Sequence, residues 1–529
     1  MFDCLTVRLF GPFAAISASG DDLLPRGSKA RALVALLVTS ETFQRRRSWL
    51  QDMLWSDRGP EQRAASLRQA LVELRRCWAE IPDLLQTDRQ SIGLDPKKVR
   101  IDRTGEGSGA LFLEDVKVRD PAFVSWLRLQ RLSVNCVAPD PARIEPRMTA
   151  TDRTITVLCR SDHDPNAIAL EHLVQDRVCF MLGECAGIRV RMAKALSVEP
   201  DPLLCSLKAI LPESGPPVLR ITLESLPGAL MLFSGSTRPG RDPVTAADAP
   251  GTLALCAQLA DIVRCHRSAA ESSETVSDLV GEAVALMFSF EPAKTSAAVR
   301  KLETALSLER SGVIMGWLAQ ALNIQFVERH VTADAAFLER VEACCREALA
   351  LAPTNSDVLA SVANARVNFE KDYAAGFELA RRAVEVNPAN PLAWWALSNA
   401  ELCIGRVDAA LRSALRSQFL AQRTRYEFWA DFQVALVFAV KGTTDAALTM
   451  GERSAALRPG FRPPLRYLVA LHAMNGDLGR ARDKVLRLVA EEEDFSVVRM
   501  LEDRSYPIGI MRRYGSALTE SLKRLSGEL

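Results

Sequence analysis

Residues 64–78, AASLRQALVELRRCW, concentrate the residue types that read nucleic acid. At about 100° per residue, Leu67, Ala70, Leu71, Leu74 and Trp78 gather within about 100° of arc as one apolar stripe. Gln62, Ala65, Gln69 and Arg76 point the opposite way, Arg68 and Arg75 lie on one flank, and Ser66 and Glu73 lie on the other. Such an outward face suits a DNA major groove. Arginine meets guanine through paired hydrogen bonds and glutamine meets adenine likewise, while flanking arginines hold phosphates. Arg45, Arg46 and Arg47 precede the stretch and offer further phosphate contacts. The expected DNA-binding set is Arg63, Arg68, Gln69, Arg75, Arg76, Arg89, Lys97 and Lys98. The same pattern also describes an ordinary solvated helix, so the surroundings must decide.

Other chemistry is sparse. The chain has no G-x-x-x-x-G-K-[ST] phosphate loop, and no H-E-x-x-H or G-x-S-x-G. SGSTRPGRDP, 234–243, lacks the lysine–hydroxyl pair and a following helix, and reads as a loop. Asp162, His163 and Asp164 follow a strand pattern and read as a solvated loop rather than a metal or acid–base site. Twelve cysteines are scattered without a C-x-x-C pair, and only five histidines are present, so reduced buried thiols are expected and no metal. No enzyme activity and no cofactor are expected.

The elements around the opening stretch give it a context. LTVRLFGPFAAI, 5–16, reads as short strands broken at Gly11–Pro12. Ser28 is placed to cap a helix through KARALVALLVTS. A second helix covers 48–57. Gly59 breaks it, and Pro60 suits the first turn of a third helix over 60–80. LLQTDRQSIGLDPKKVRID, 84–102, reads as one hairpin turning near Gln90–Ser91, which carries Arg89, Lys97 and Lys98. Strands, three helices and a hairpin in about 100 residues are the plan of a winged helix-turn-helix.

The remainder divides by composition. Residues 108–129 form a short helical annex, and 137–146, with three prolines, form a linker. Within 151–270 the strand patterns TITVLCR, VLRITLE and GALMLFSGS alternate with helices at 169–184 and 253–266, an α/β arrangement. From about 275 strands vanish and spacings recur. Pro353 and Pro388 lie 35 residues apart and Pro459 lies 71 further on; Gly405, Gly442 and Gly476 are spaced by 37 and 34, each with alanine five residues later at 410, 447 and 481. Such periods mark stacked helix pairs, a solenoid with a concave face.

At +1 overall the chain is no polycation, although 17 Lys+Arg against 13 Asp+Glu leave +4 in residues 1–104. The longest early apolar run, ALVALLV at 32–38, is far short of the ~20 residues of a membrane span. MFDCLTVRLFG has no basic region followed by an apolar core, so no signal peptide and a cytoplasmic location are expected.

Three resemblances add to this. Trp394, Leu397, Gly405 and Ala410 within 391–422, and Tyr373, Ala383 and Pro388 before them, resemble the tetratricopeptide family, with Gln422 in place of proline and Ser454 in place of alanine. That resemblance implies α-α hairpins that bind peptides or partner domains. VRLFGPF, RGSKARALVALLV, LQDMLWSD, EQRAASLRQALVELRR and VRID resemble the OmpR/PhoB-type winged-helix DNA-binding domain, as found at the head of SARP-type bacterial activators. GALFLEDVKVRDPAFVSWL is similar to the sequences immediately C-terminal to that domain in such activators. Residues 151–270, from TITVLCR on, resemble a TolB-like segment.

The expected fold class is therefore multidomain α+β. A winged helix-turn-helix spans 1–104, an annex and linker 105–150, an α/β segment 151–270 and an all-α tetratricopeptide-like solenoid 275–529. The expected function is sequence-specific transcriptional regulation, with activation through RNA polymerase implied by the resemblance. The partners are promoter DNA, a protein or peptide at the repeats and a second copy of the chain, with no membrane. The alternative is a tetratricopeptide scaffold that does not bind DNA.

Overall fold

The structure, a computed structural model, describes residues 4–102 except 41 and 57, residues 112–116, 118, 120, 123, 124 and 127, residues 153–193 except 162 and 163, residues 201–266 except 211, 213–216 and 227–229, and residues 275–526 except 493, 504, 505 and 515. The linker expected over 137–146 and the pair Asp162–His163 lie outside them. The chain divides into two compact units, residues 1–146 and 147–529.

In the first unit, β1 (Leu5–Arg8) pairs antiparallel with β2 (Ala14–Ile16). Helices α1 (Ser28–Val38), α2 (Arg47–Leu54) and α3 (Pro60–Cys77) come next, in the expected order. Ser28 does not cap α1. The N-cap is Gly27, which has no side chain to offer, and its N–H donates to the Glu73 carboxylate of α3 at 2.7 Å. A Cβ on Gly27 would meet the Glu73 carboxylate at 2.7 Å, so the missing side chain leaves room for that carboxylate at the start of α1.

The expected hairpin is shorter than its sequence pattern. β4 (Leu85–Thr87) and β5 (Ser91–Leu94) form it, with Asp88 accepting from the Gln90 and Ser91 N–H groups in the turn. Pro96 then opens a 3-10 turn capped by Asp95, and the chain leaves the hairpin. β6 (Val99–Asp102) instead pairs parallel with β1. An element absent from the sequence reading, β3 (Gln44–Arg46), completes the hairpin sheet in the order β3-β5-β4. Leu33, Leu36, Leu50, Leu67, Leu71, Leu74, Trp78 and Ile92 share one core, joined by Phe112 and Phe123 of the annex.

The second unit opens on a five-stranded sheet ordered β11-β10-β9-β7-β8. Its strands are β7 (Arg153–Cys159), β8 (Ile188–Ala193), β9 (Leu203–Ile210), β10 (Val218–Ser225) and β11 (Leu230–Thr237). β8 and β9 were not expected from sequence. Helix α4 (Pro165–Gly183) starts at Asp164, whose side chain accepts from the Asn166 and Ala167 N–H groups. Asp164 is thus an N-cap. The loop reading of 234–243 needs amendment too: its first residues extend β11, and Asp242 caps a short helix, α5 (Pro243–Ala247). Helix α6 (Pro250–Cys265) packs on the sheet beside α4.

Beyond the sheet, the described residues form six helix pairs. They are α7 (Val276–Met287) with α8 (Pro292–Leu308), α9 (Gly312–Val327) with α10 (Ala335–Leu351), and α11 (Ser356–Ala365) with α12 (Tyr373–Val386). Next come α13 (Pro391–Cys403) with α14 (Val407–Ala421), α15 (Glu427–Lys441) with α16 (Thr444–Leu457), and α17 (Pro463–Met474) with α18 (Leu478–Glu491). The spacings read from sequence have a physical basis here. Gly405, Gly442 and Gly476 adopt φ of 81°, 77° and 78°. The next N–H then returns to a carbonyl five residues back, as in Arg406 to Glu401 at 2.8 Å and Asp477 to His472 at 2.9 Å. Ala410, Ala447 and Ala481 are all 0 % exposed, where a larger side chain would separate the pair.

The α/β segment and the repeats are not independent bodies. Ala389 and Leu420 of the repeats belong to the same hydrophobic cluster as Ile155, Val174 and Leu259. The seam between them is polar and buried. Glu184 accepts from the Ser356 N–H at 2.5 Å and from the Asn387 amide at 2.6 Å, and Arg264 pairs with Asp357 at 2.6 Å. Burial first, and the Asp357 carboxylate second, push the Glu184 carboxyl up to about 7.

These features can be tested through stability. Two glycines of one inter-helix turn should respond oppositely to alanine. Gly476→Ala forces an L residue into the left-handed region and should cost about 1–2 kcal/mol. Gly479, inside α18 with negative φ and space around it, should gain up to about 0.5–1 kcal/mol as alanine. Urea denaturation of both variants checks the opposite signs. The Glu184 seam should make stability depend on pH. A carboxyl whose folded pKa is raised favours the folded state below its ordinary value of 4.5 and loses that contribution as pH rises through about 7. Relative to Glu184→Gln, the wild type should therefore lose about 3 kcal/mol between pH 4.5 and pH 8. Parallel denaturant midpoints across that range for the two proteins would rule this out.

Candidate functional site

The outward face of α3 is built as a strip. Along it Gln62, Ala65, Arg68, Gln69, Val72, Arg75 and Arg76 are exposed, while Leu67, Leu71 and Leu74 seal the opposite side into the core. Val72, at 62 % exposure, sits in the middle of this polar strip. It was assigned to no face from the sequence. An exposed aliphatic between arginines is the type of group that meets a thymine methyl.

The eight expected residues have different fates. Arg63 ion-pairs with Asp52 of α2 and donates to the main-chain carbonyls of Arg58 at 2.6 Å and Ser56 at 2.9 Å. It anchors α3 to α2 and stands outside the strip. Arg75 donates to Thr87 at 2.9 Å and so fastens the end of α3 to β4. Lys98 donates to the Pro82 carbonyl at 2.5 Å, and Lys97 lies with it in the turn after β5 rather than on the hairpin. Among the described residues, Arg68, Gln69, Arg76 and Arg89 make no side-chain hydrogen bond or ion pair and are exposed.

The three-arginine run also separates by geometry. Arg46, on the edge strand β3, is exposed. Arg45 lies 4.8 Å over the Trp49 ring, and Arg47 donates to the Asp88 carbonyl at 2.8 Å, closing β3 onto the hairpin turn. Arg45, Arg46 and Arg89 line a shallow hollow beside that turn with Gln44, Gln90 and Ser91. The exposed cations thus lie in two places, along α3 and around the hairpin tip.

A second concavity lies in the repeats. The first helices of successive pairs line a cavity of about 1360 Å³ with Asn323, Trp395, Asn399, Trp429, Phe432 and Gln433. Trp395 and Trp429 stack with centroids 4.1 Å apart. Gln433 donates to Ser398, and its side-chain oxygen has no hydrogen-bond partner. His330, also on this wall, is pushed down to about 4 by burial and then by Arg462 and Arg466, so it is neutral near pH 7.

Elsewhere the described residues offer little reactive chemistry. The described cysteines are free thiols. Burial pushes Cys159 up to about 12 and Cys179 up to about 11, which keeps both protonated near neutrality. Among the described residues, no group of three or more His, Cys, Asp or Glu is placed to hold a metal ion, and no helix is long and apolar enough to cross a membrane.

By architecture, then, this is a helical-repeat protein with an α/β segment built onto the repeats and a separate small α+β unit ahead of them. No protein-family model matches the chain, and no curated protein matches it. Among solved structures it is similar to TTC0263, a thermophilic TPR protein of Thermus thermophilus, at 17 % identity over 38 % of this chain and 98 % of that one, with a TM-score of 0.29. It is also similar to a Rap protein complexed with competence and sporulation factor, at 12 % identity over 48 % of this chain and 76 % of that one, with a TM-score of 0.33. A third is the Cut9–Hcn1 assembly of the APC/C, at 11 % identity over half of each chain, with a TM-score of 0.35.

The separation of roles among the arginines is measurable as stability. Arg63→Ala removes two bonds to main-chain carbonyls and an ion pair, and should destabilise the first unit by about 1–2 kcal/mol. Arg68→Ala should stay within about 0.5 kcal/mol of wild type. Urea titration of the two variants, monitored by Trp49, Trp55 and Trp78 fluorescence, distinguishes them; equal losses would return Arg63 to the outward face.

Proposed function

We propose that the protein is a sequence-specific DNA-binding transcriptional regulator, an activator of the SARP type with an OmpR/PhoB-type winged helix over residues 1–104. The observation that carries this is the outward strip of α3, where Arg68, Gln69 and Arg76 are exposed without protein partners and surround the exposed Val72. Arginine, glutamine and an aliphatic group are the donors and apolar contact that base edges in a major groove require. Arg46 and Arg89, exposed at the hairpin tip, are offered in this reading as phosphate contacts. In this reading α3 is the recognition helix and β4–β5 the wing. The repeats receive a protein or peptide, activation proceeds through RNA polymerase in the cytoplasm, and two copies occupy tandem half-sites. The protein has no enzymatic role in this scheme.

A scaffold that does not touch DNA is the second reading, and the aromatic cavity of the repeats is the observation that favours it. Selection of the full-length protein on pooled genomic DNA from its host, at two salt concentrations, separates the two. An enriched motif that survives the higher salt supports the regulator. Salt-labile binding without a motif, or no binding, supports the scaffold.

Within the regulator reading, Arg76→Ala should weaken binding to the selected site by about 1–3 kcal/mol and relax one base position. Arg89→Ala should weaken all sequences alike and reduce the salt slope by about one. Equilibrium binding of both variants to the selected and a scrambled site, across a salt series, checks the difference.

A further inference from the structure

The last residues of the chain do not simply continue the stack. After α18 come α19 (Val497–Glu502), α20 (Gly509–Tyr514) and α21 (Ser516–Ser526). Helix α21 packs on α17 and buries Leu522 and Leu525. Residues 506–513, between α19 and α21, do something else: they lie on the concave face. Asp503 lies 3.7 Å from Arg329, at the end of α9, while Ile510 packs against Val367, Ala400 and Cys403 of the third and fourth pairs.

The contacts made on the way are those of a bound peptide. Tyr506 is buried, with the Arg329 and Arg466 guanidiniums 5.3 and 5.4 Å from its ring centre, and its hydroxyl donates to Glu492 at 2.8 Å. Ile510 fills the small apolar pocket formed by Val367, Ala400 and Cys403. The Arg513 guanidinium lies 4.9 Å over the Tyr373 ring. The Met511 N–H faces the Tyr467 hydroxyl oxygen of α17, which accepts from it. Beside this segment the channel still holds the 1360 Å³ cavity, larger than the ~300–1,000 Å³ of small-molecule pockets. Two fully buried side chains on its wall, Gln433 and Glu328, each keep one oxygen without a hydrogen-bond partner. The channel therefore has recognition sites that the segment occupies and acceptors that it leaves unmet.

We propose that residues 506–513, YPIGIMRR, are an internal plug of the repeat channel. The partner that displaces them is a peptide of the same chemistry: an aromatic residue, an aliphatic one four positions on and a basic one three positions further. This deepens the reading of the repeats as a docking surface and rests on it, but not on DNA binding. An attached segment competes at a high effective concentration, up to the millimolar range for short linkers. A channel open only a fraction of the time binds an outside peptide more weakly by that fraction.

The test uses the full-length protein and a fluorescent peptide of its own residues 503–513. Wild type should bind it weakly. The double variant Tyr506→Ala/Ile510→Asp, which removes two anchors of the plug, should bind it at least about tenfold more tightly. Adding Tyr373→Ala to that variant should reverse part of the gain. Equal affinity of wild type and double variant, or no binding to a double variant whose far-ultraviolet circular dichroism is native, overturns the proposal. A second measurement needs no variant. Excess unlabelled peptide should speed hydrogen exchange at wild-type residues 506–513, and unchanged exchange at the highest peptide concentration overturns the proposal as well. Because both readouts report the channel alone, a failure to select a DNA motif leaves them unaffected.

Discussion

The second unit depends on one buried cation. Arg264, at the end of α6, is enclosed between the Asp357 carboxylate, the Tyr426 hydroxyl at 2.8 Å and the Trp317 ring at 5.0 Å. A guanidinium taken out of water without a partner costs several kcal/mol. The α/β segment and three different helix pairs must therefore meet in one pose for the arrangement to be tolerable. Around it Arg425 pairs with Asp261 at 2.5 Å, and Glu184 collects the Ser356 and Asn387 donors. Ser356 and Asp357 open α11, Asn387 and Asn390 precede α13, and Arg425 and Tyr426 precede α15. The α/β segment thus seats along the edge of the array where alternate helices begin.

That placement explains how the array is used. A solenoid exposes two broad faces and two ends, and each apolar surface must be covered. The seam covers the edge at the helix starts, α21 packs on α17, and the concave face is left to residues 506–513 and the aromatic residues beneath them. The repeat geometry is what makes this face regular. A left-handed residue ends the first helix of each later pair, and a fully buried alanine brings the second helix close. Lys371, at φ 55°, holds the position that Gly405 holds one unit later. Its pair is also the one interrupted by a π-helical turn over Arg366–Glu370, so the period is kept at the cost of local irregularity.

How much of this was legible depends on the range of the interactions. Local patterns were readable: the glycine, alanine and proline periods of the repeats, the three helices before residue 80, and the buried stripe of α3. Elements defined by distant pairing were not. Gln44–Arg46 has no apolar alternation and is a strand only because β5 lies beside it. Val99–Asp102 has the alternation of a hairpin arm, yet its partner is β1, more than ninety residues away. LLCSLKAI of β9 is buried without interruption over its first five residues and alternates only over its last few, too short a run to detect. The division at residue 275 marked a change of secondary structure but not of compact unit, because the seam is made of single polar residues scattered over two hundred positions. On the candidate interface, composition identified arginines but not their partners. Arg63 falls on the apolar side of the helical wheel, a signal that composition alone overlooks, and the positions of Asp52 and two carbonyls show what it does there, while Arg68 on the flank stays exposed.

The same attention to partners bears on how the first unit would hold DNA. With Arg63, Arg75 and Lys98 engaged by the protein and Lys97 in the turn beyond β5, the exposed cations on the strip and at the hairpin tip are Arg46, Arg68, Arg76 and Arg89. Each neutralised phosphate contributes about −0.9 to the salt slope, so four contacts give roughly −3 to −4 even if every one meets a phosphate. That is a shallow slope, and a chain of net charge +1 adds little long-range attraction. In the proposed regulator, selectivity would then have to come from base-edge contacts rather than from electrostatic affinity. Under that proposal a second copy at an adjacent half-site would double the contacts and multiply the base positions read, which is how a face with few free cations could still select a site.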